Sequence, residues 1–456
     1  MDFLPGWLQQ VAKGNVEVEL LPLRLADDAG TTFNGQGFLR WTPNRGVWIE
    51  AITDGAAHLL GPGDGTLGTL GSLIPDSHFL RLTASTRAKE TVEIDRILRD
   101  GSNVYGGNPT VVWKIEQDSI CSPVTVRAIE PPDNDPPSTE LLLSPVDLHW
   151  PRPSQTRYDN PHFGRAGWKQ DWLEFSHSGG TVAAHSIGDQ MARLRIEHSD
   201  GVEQINTNAL GLAFSFLCSR VVNLVAHTTR GSGSVTNMLH LRRTLPRRHT
   251  FAPPVGDNPL LRGAVEAILS KAADFFLTAR GGAVGNLMFA CLDSADATFT
   301  THSLVVCVVL ESLVKLIAED RPQPPVLTNE QIEGILKHLE DLNLDPRTVK
   351  RFRGFMDRLD AITPKNILHD WSKAGIFGIV QEDVYAWDGL RNPIAHGRLL
   401  WVPDEQNNKQ HHLRRLWRVK NLINKLLLNL MGYTGPYFDY AAWTPKKFVP
   451  TILSAD

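Results

Sequence analysis

The chain holds 456 residues, with 46 Lys and Arg against 50 Asp and Glu. That length exceeds what one hydrophobic core serves, so two or three domains are expected. A net charge of −4 and a pI of about 6.5 exclude the globally basic surface of a constitutive nucleic-acid binder and leave RNA binding to local patches.

Residues 14 to 245 read as β-rich. Short alternating runs (Val16, Val18 and Leu20; Val47 and Ile49; Val111, Trp113 and Ile115; Leu194 and Ile196) are separated by Gly, Pro and Asp clusters. The spacing suits a sandwich or barrel-like module, with a division into two lobes near 130–150 where Pro131–Pro137 and Pro151–Pro161 fall. The glycine run Gly63–Gly68 has the outline of a dinucleotide-binding loop, but Gly71 and Pro75 leave no room for the helix it needs, so it reads as a flexible loop. His149, His162, His177, His185 and His198 share no spacing that would make them metal ligands. Ala209–Ala226 is apolar but is interrupted by Arg220 and Asn223 and falls short of the ~20 residues of a membrane span, so it reads as a buried element.

Residues 246–257 form a predicted linker. It follows Arg242, Arg243, Arg247 and Arg248, a basic run of the kind that is usually solvated. From 258 to 456 the apolar period changes to 3.6 and the chain reads as a helical bundle. Asn258 and Pro259 open the first helix as cap and first residue. Leu304–Ile317 is apolar nearly all round and reads as a buried helix, with Glu311 and Lys315 its only charges, spaced i, i+4. Thr328 and Gln331 suggest a capping box, and Asp345-Pro346 starts another helix. A last helix covers about 409–431, with Arg414, Arg415, Arg418 and Lys425 opposite its apolar face. The expected class is α+β multidomain.

The cysteines at 121, 218, 291 and 307 are far apart, which argues against a zinc knuckle or a disulfide framework and suits a reducing cytoplasm. Met1–Pro5 lacks the basic and apolar regions of a secretory leader. A cytoplasmic location without a membrane anchor is expected.

Three Arg-x4-His spacings occur. Arg157/His162 lies in Pro-rich sequence. Arg193/His198 lies in an alternating run, where residues an odd number apart point to opposite faces. Only Arg391/His396, within Leu390-Arg391-Asn392-Pro393-Ile394-Ala395-His396-Gly397, combines a helical setting with an adjacent Asn. On one regular helix the two side chains would lie about 140° apart. Pro393 therefore suggests a break or helix start near 389–393, with the proline in the first turn, where its missing N–H costs nothing. A two-fold dimer joining the motif to its twin is a second way to bring the groups together.

This octapeptide resembles the signature of the HEPN family of helical ribonucleases. The resemblance covers about the last 200 residues. It implies a helical bundle, a homodimer and a metal-independent endoribonuclease with neither cofactor nor metal. His396 would move protons at the ribose 2′-hydroxyl and the leaving 5′-oxygen. Arg391 would meet charge on the phosphate, and Asn392 would orient the His or hold a non-bridging oxygen. The product would carry a 2′,3′-cyclic phosphate. Glu311 and Lys315 match a Glu-x3-Lys pair that some members direct at the site, though they also read as a structural ion pair. Asp388 is a candidate to orient His396, or a helix cap. Arg414, Arg415 and Arg418 are candidates to track RNA phosphates. The domain order is similar to that of bacterial single-gene abortive-infection proteins of the ApeA type. That would make the β-rich half a sensor for a phage-derived activator and tRNA or other host RNA the target. A non-catalytic HEPN-fold scaffold with a ligand-sensing β-rich module is the alternative.

Overall fold

The computed structural model describes residues 10–450 except 12, 29, 43–44, 55–78, 99–101, 106–109, 117–119, 121–123, 129–137, 147–149, 151, 161–164, 178–179, 188–190, 199–205, 232–233, 241–251, 256–260, 320–328, 343–344, 360–362, 398–399 and 401–405. Gly63–Gly68, the basic run 242–248, Asn258-Pro259, Thr328, Cys121, His149 and His162 lie outside the described residues. The chain divides into two compact units, one of residues 1–248 with 265–277 and the other of residues 249–264 with 278–456.

The first unit is a 15-stranded antiparallel sheet. Its first half holds β1 (Val16–Asp27), β2 (Thr32–Thr42), β3 (Gly46–Asp54), β4 (Phe79–Ser85), β5 (Thr91–Leu98), β6 (Ser102–Tyr105), β7 (Thr110–Ile115) and β8 (Val124–Ala128). Its second half holds β9 (Ser138–Ser144), β10 (Arg152–Asn160), β11 (Arg165–His177), β12 (Gly180–Ile187), β13 (Met191–His198), β14 (Asn223–Gly231) and β15 (Ser234–Leu239). The strand order is β10-β11-β12-β13-β9-β14-β15-β8-β5-β4-β1-β2-β3-β7-β6. The two halves are contiguous in sequence, but pairing of β15 with β8 joins them into one sheet.

Alternation sets which faces are buried. In β3, Val47, Ile49, Ala51 and Thr53 turn inward while their neighbours are more exposed. Thr53 Oγ1 accepts from the Trp113 indole at 2.9 Å, satisfying a polar atom in a core that also holds Phe33 edge-on to Trp113. The same core includes Leu142, Val225 and Ala226 from the second half. Ala209–Ala226 is indeed largely buried, but it divides into helix α1 (Thr207–Cys218) and the start of β14. Asn206 caps α1 by accepting from Asn208 and Ala209.

Helix α2 (Ala264–Phe276) groups with the β-rich unit, although its sequence period alone assigns it to the helical half. The Glu266 carboxylate accepts from the Glu174 N–H of β11 at 2.9 Å, and Ser270 donates to the Ser176 carbonyl of the same strand. These bonds are non-local, which is why the period does not reveal them.

The second unit contains α3 (Ala279–Asp293), α4 (Phe299–Ala318), α5 (Asn329–Asp341), α6 (Pro346–Leu359), α7 (Pro364–Lys373), α8 (Gln381–Ala395) and α9 (Gln406–Leu430), then the hairpin β16 (Gly435–Asp439) and β17 (Thr444–Phe448). Asp345 caps α6 by accepting from the Arg347 and Thr348 N–H groups. Helix α4 is central and touches α3, α7, α8 and α9. It has the length and apolarity of a membrane span, yet Val306, Cys307, Leu310, Leu313, Val314 and Ile317 are buried among the other helices. Burial of each such aliphatic side chain contributes about 1.5–3 kcal/mol. Leu304 and Val308 remain 40% and 50% exposed on its outer face. A sheet-rich half and a helical half make the chain α+β.

Candidate functional site

Arg391, Asn392 and His396 all lie at the C-terminal end of α8. The helix runs unbroken to Ala395, so Pro393 occupies its last turn and not the first turn of a new helix. The cost of that position is met by a distant residue. Pro393 has no N–H to give to the Gly389 carbonyl, and Arg415 Nη1 on α9 donates to that carbonyl instead, at 3.1 Å. Gly389 makes room for the guanidinium, since a Cβ there would lie 2.6 Å from Arg415 Cζ. Gly389→Ala is therefore expected to cost about 1–3 kcal/mol, by crowding the guanidinium or by stripping the carbonyl of its donor. A thermal melt of this variant that matched wild type would remove Arg415 from that role.

The helix ends where the motif does. The His396 N–H donates to the Asn392 carbonyl at 3.1 Å and the Gly397 N–H to that of Ile394 at 2.9 Å. Gly397 takes φ +71°, the left-handed cap that favours glycine. His396 thus projects from the cap, exposed. Helical geometry puts Tyr385, Asn392 and His396 on one stripe, within about 40° of one another. Tyr385 is 62% exposed. Asn392 and His396 therefore face the same way.

The unbroken helix leaves Arg391 about 140° from His396, so the two do not converge within one chain. Arg391 turns about 100° from Asn392, toward α4, where its Nε donates to Glu311 Oε1 at 2.7 Å. The carboxylate holds the guanidinium pKa above its ordinary value, against a smaller opposing effect of burial. The Arg391 side chain is still 42% exposed and that of Glu311 20%. A guanidinium anchored through Nε keeps its outer fork for another partner. Glu311 is thus paired across the helices with Arg391, and Lys315, exposed on α4, takes no ion pair with it among the described residues.

Asp388 pairs with Lys365 of α7 at 3.1 Å and sits inside α8, so it is not a helix cap. Cys307, one turn before Glu311, is fully buried, and burial together with the Glu311 charge pushes its thiol up to about 12. A thiol so neutral is no nucleophile. The alternating run at Arg193/His198 is strand β13, with Arg193 paired to Glu140 at 2.6 Å. Among the described residues, no three or more His, Cys, Asp or Glu side chains are gathered to hold a metal ion.

The basic face of α9 is largely an interior one. Arg415 fills the Gly389 site, and burial lowers its pKa. Arg418 Nη1 reaches Asp383 Oδ1 at 2.9 Å, and Lys425 Nζ lies 3.6 Å from Asp383 Oδ2 and donates to the Gly378 carbonyl at 2.8 Å. Asp383 is 1% exposed, so two cations are drawn inward to one buried carboxylate. Arg414 alone of the three candidate arginines is exposed, and the row expected to track phosphates is reduced to it.

Sequence reasoning passed over two residues beside the site. Tyr385 shares the stripe with Asn392 and His396. His369 of α7 packs edge-on to Tyr385 at 6.4 Å and bonds the Gln381 amide at 2.8 Å. The i, i+7 and i+11 spacing of Tyr385, Asn392 and His396 is the signal that would have found the first. No family model, no curated protein and no solved structure matches this chain.

Proposed function

We propose that the chain is a metal-independent endoribonuclease of the HEPN type, with Arg391, Asn392 and His396 at its centre. The observation that carries this reading is the Glu311-anchored, still accessible guanidinium at the end of the helix whose cap presents His396. An RNA phosphodiester is the substrate class that uses a fixed cationic fork and a titratable imidazole together.

In the reaction, the ribose 2′-oxygen forms a bond to phosphorus as the bond to the 5′-oxygen breaks. One imidazole takes the 2′ proton and an imidazolium returns one to the leaving oxygen. Arg391 bears the charge that builds on the phosphate oxygens. A single His396 cannot hold both protonation states at once, so a homodimer that brings two copies to one cleft completes the chemistry. The exposed Leu304 and Val308 on α4, one to two turns from Glu311, supply apolar surface for such a contact. In a cell the enzyme would act in the cytoplasm as an abortive-infection effector against phage, restrained by its β-rich half until a phage-derived activator releases it, with tRNA or other host RNA as target.

The test is incubation of total tRNA with the purified chain in chelator. Fragments with 2′,3′-cyclic phosphate ends are expected, and they should vanish with Arg391→Ala and with His396→Ala. Cleavage surviving both substitutions would end the proposal. Glu311 has a separate signature as the residue that positions Arg391. Glu311→Ala is expected to lower kcat by about 10²-fold with little change in KM, because the loosened guanidinium leaves its transition-state geometry. Glu311→Gln, which still accepts from Nε, should recover most of the loss. A pure KM effect would assign Glu311 to substrate binding instead.

A further inference from the structure

The turn of the C-terminal hairpin carries two local penalties at one residue. Trp443 holds φ +53°, a left-handed backbone that disfavours a bulky side chain, and its ring is 60% exposed. The rings beneath it are fixed. Trp417 of α9 stacks on Tyr440 at 5.0 Å and meets Trp443 edge-on at 5.5 Å, while Tyr440 and Phe438 lie 5.7 and 6.3 Å from Trp443. The Tyr440 hydroxyl donates to the Pro253 carbonyl at 2.9 Å and its N–H to the Asn421 side chain at 3.1 Å. The result is a preformed aromatic shelf whose outermost ring is open to solvent.

Two exposed cations stand on the elements that carry the shelf, α9 and β17. Arg414, one turn before Trp417 on α9, is exposed and has no ion-pair partner among the described residues. Lys447 on β17 is exposed as well. The one acid of the hairpin, Asp439, is 2% exposed and taken by Lys446 at 2.6 Å. An open ring whose supporting helix and strand also bear exposed cations fits a ligand with a flat π-face and phosphate charge. Ala441 and Ala442 in the turn offer none of the side-chain amides or carboxylates that would match sugar hydroxyls.

We infer that Trp443 is a stacking platform for an unpaired base of single-stranded RNA, with Arg414 and Lys447 supplying cations for the adjoining backbone. The choice of RNA rests on the ribonuclease reading, whereas the shelf itself does not depend on it. Base stacking on an exposed ring tolerates any sequence and adds to backbone electrostatics. A surface of this kind would hold a strand independently of the residues that cut it.

The experiment measures fluorescence anisotropy of a labelled single-stranded RNA of about 16 nucleotides, using the full chain in a His396→Ala background so that no cleavage intervenes. Trp443→Gly removes the ring and suits the left-handed turn, so the variant keeps its thermal melt, and its binding should weaken about tenfold or more. Trp443→Phe should stay within about threefold of the parent, since a ring remains. Duplex RNA, whose bases are already stacked, should show no difference between the variants. Arg414→Ala with Lys447→Ala should flatten the salt dependence by about 0.7 for each phosphate that is no longer neutralised. Parent-like binding of the single strand by Trp443→Gly, an equal loss for duplex, or no binding by the parent would each overturn the platform. Cleavage by the chain carrying native His396, measured in parallel, separates the two failures. An active nuclease with parent-like Trp443→Gly binding sinks the platform alone, and an inactive chain that loses binding in Trp443→Gly sinks the nuclease alone.

Discussion

Replacing His396 with alanine is expected to slow RNA cleavage about 10³-fold, within the range that a positioned acid–base group supplies. The imidazole stands exposed at a helix cap with nothing of like chemistry beside it in the octapeptide. Arg391→Ala should cost about 10²–10³-fold through lost charge stabilisation. Arg391→Lys should not rescue it. A single ammonium can satisfy Glu311 or a phosphate, whereas the guanidinium gives Nε to Glu311 and, on the proposed reading, its two terminal nitrogens to the phosphate. Rates are read by single turnover on a defined tRNA, with thermal melts to show that each variant folds. Near-wild-type cleavage by Arg391→Lys would mean that a point charge suffices and that the anchored fork is irrelevant. Retention of cyclic-phosphate ends by His396→Ala would place the proton transfers on another residue, and His369 and Tyr385 would be the next to change.

Removing Asp383 should produce the largest loss of stability in the helical unit, about 3–5 kcal/mol for Asp383→Ala. The carboxylate is 1% exposed and faces Arg418 at 2.9 Å and Lys425 at 3.6 Å, the Lys425 side chain being only 7% exposed. Without it, the buried Lys425 keeps only the more distant charge of Asp439 and the half-buried Arg418 loses its carboxylate. Its oxygen also accepts from the Val380 N–H at 3.3 Å, so the first turn of α8 loses a cap at the same time. Asp383→Asn should recover only that capping share, about 1 kcal/mol. Urea unfolding followed by far-UV circular dichroism reads both. A loss under about 1 kcal/mol for Asp383→Ala would show that the carboxylate is hydrated and the cluster loose.

Local signals in the sequence reached most of the secondary structure and few of the contacts. Alternation in Val47, Ile49 and Ala51 is a property of a few adjacent residues, as is the Asp345-Pro346 helix start, and both are legible without knowing what they pack against. The motif helix was legible too, but not where it would break. Pro393 signals a helix start until Arg415, far along the chain, is seen to repair the bond the proline removes. The basic face of α9 reads as solvated because composition cannot reveal Asp383, buried at the start of a different helix. Likewise, α2 has an ordinary amphipathic period, and only its bonds to Glu174 and Ser176 assign it to the sheet. Division of the β-rich half falls between β8 and β9 in sequence, yet the strand order that rejoins it through β15 has no local trace.

That rejoining has a mechanical corollary. Among the described residues, β8 is five residues long, pairs along all of them with β15 and meets β5 through three, with the Arg127–Glu93 pair and an isolated Ile97–Ile120 bridge at the join. Pulled or loosened from either side, the sheet would part most cheaply between β8 and β5, the shortest ladder among the described residues. Everything on the far side would swing as a block, so any tug on an edge strand is relayed across the whole width or spent in opening that one narrow suture.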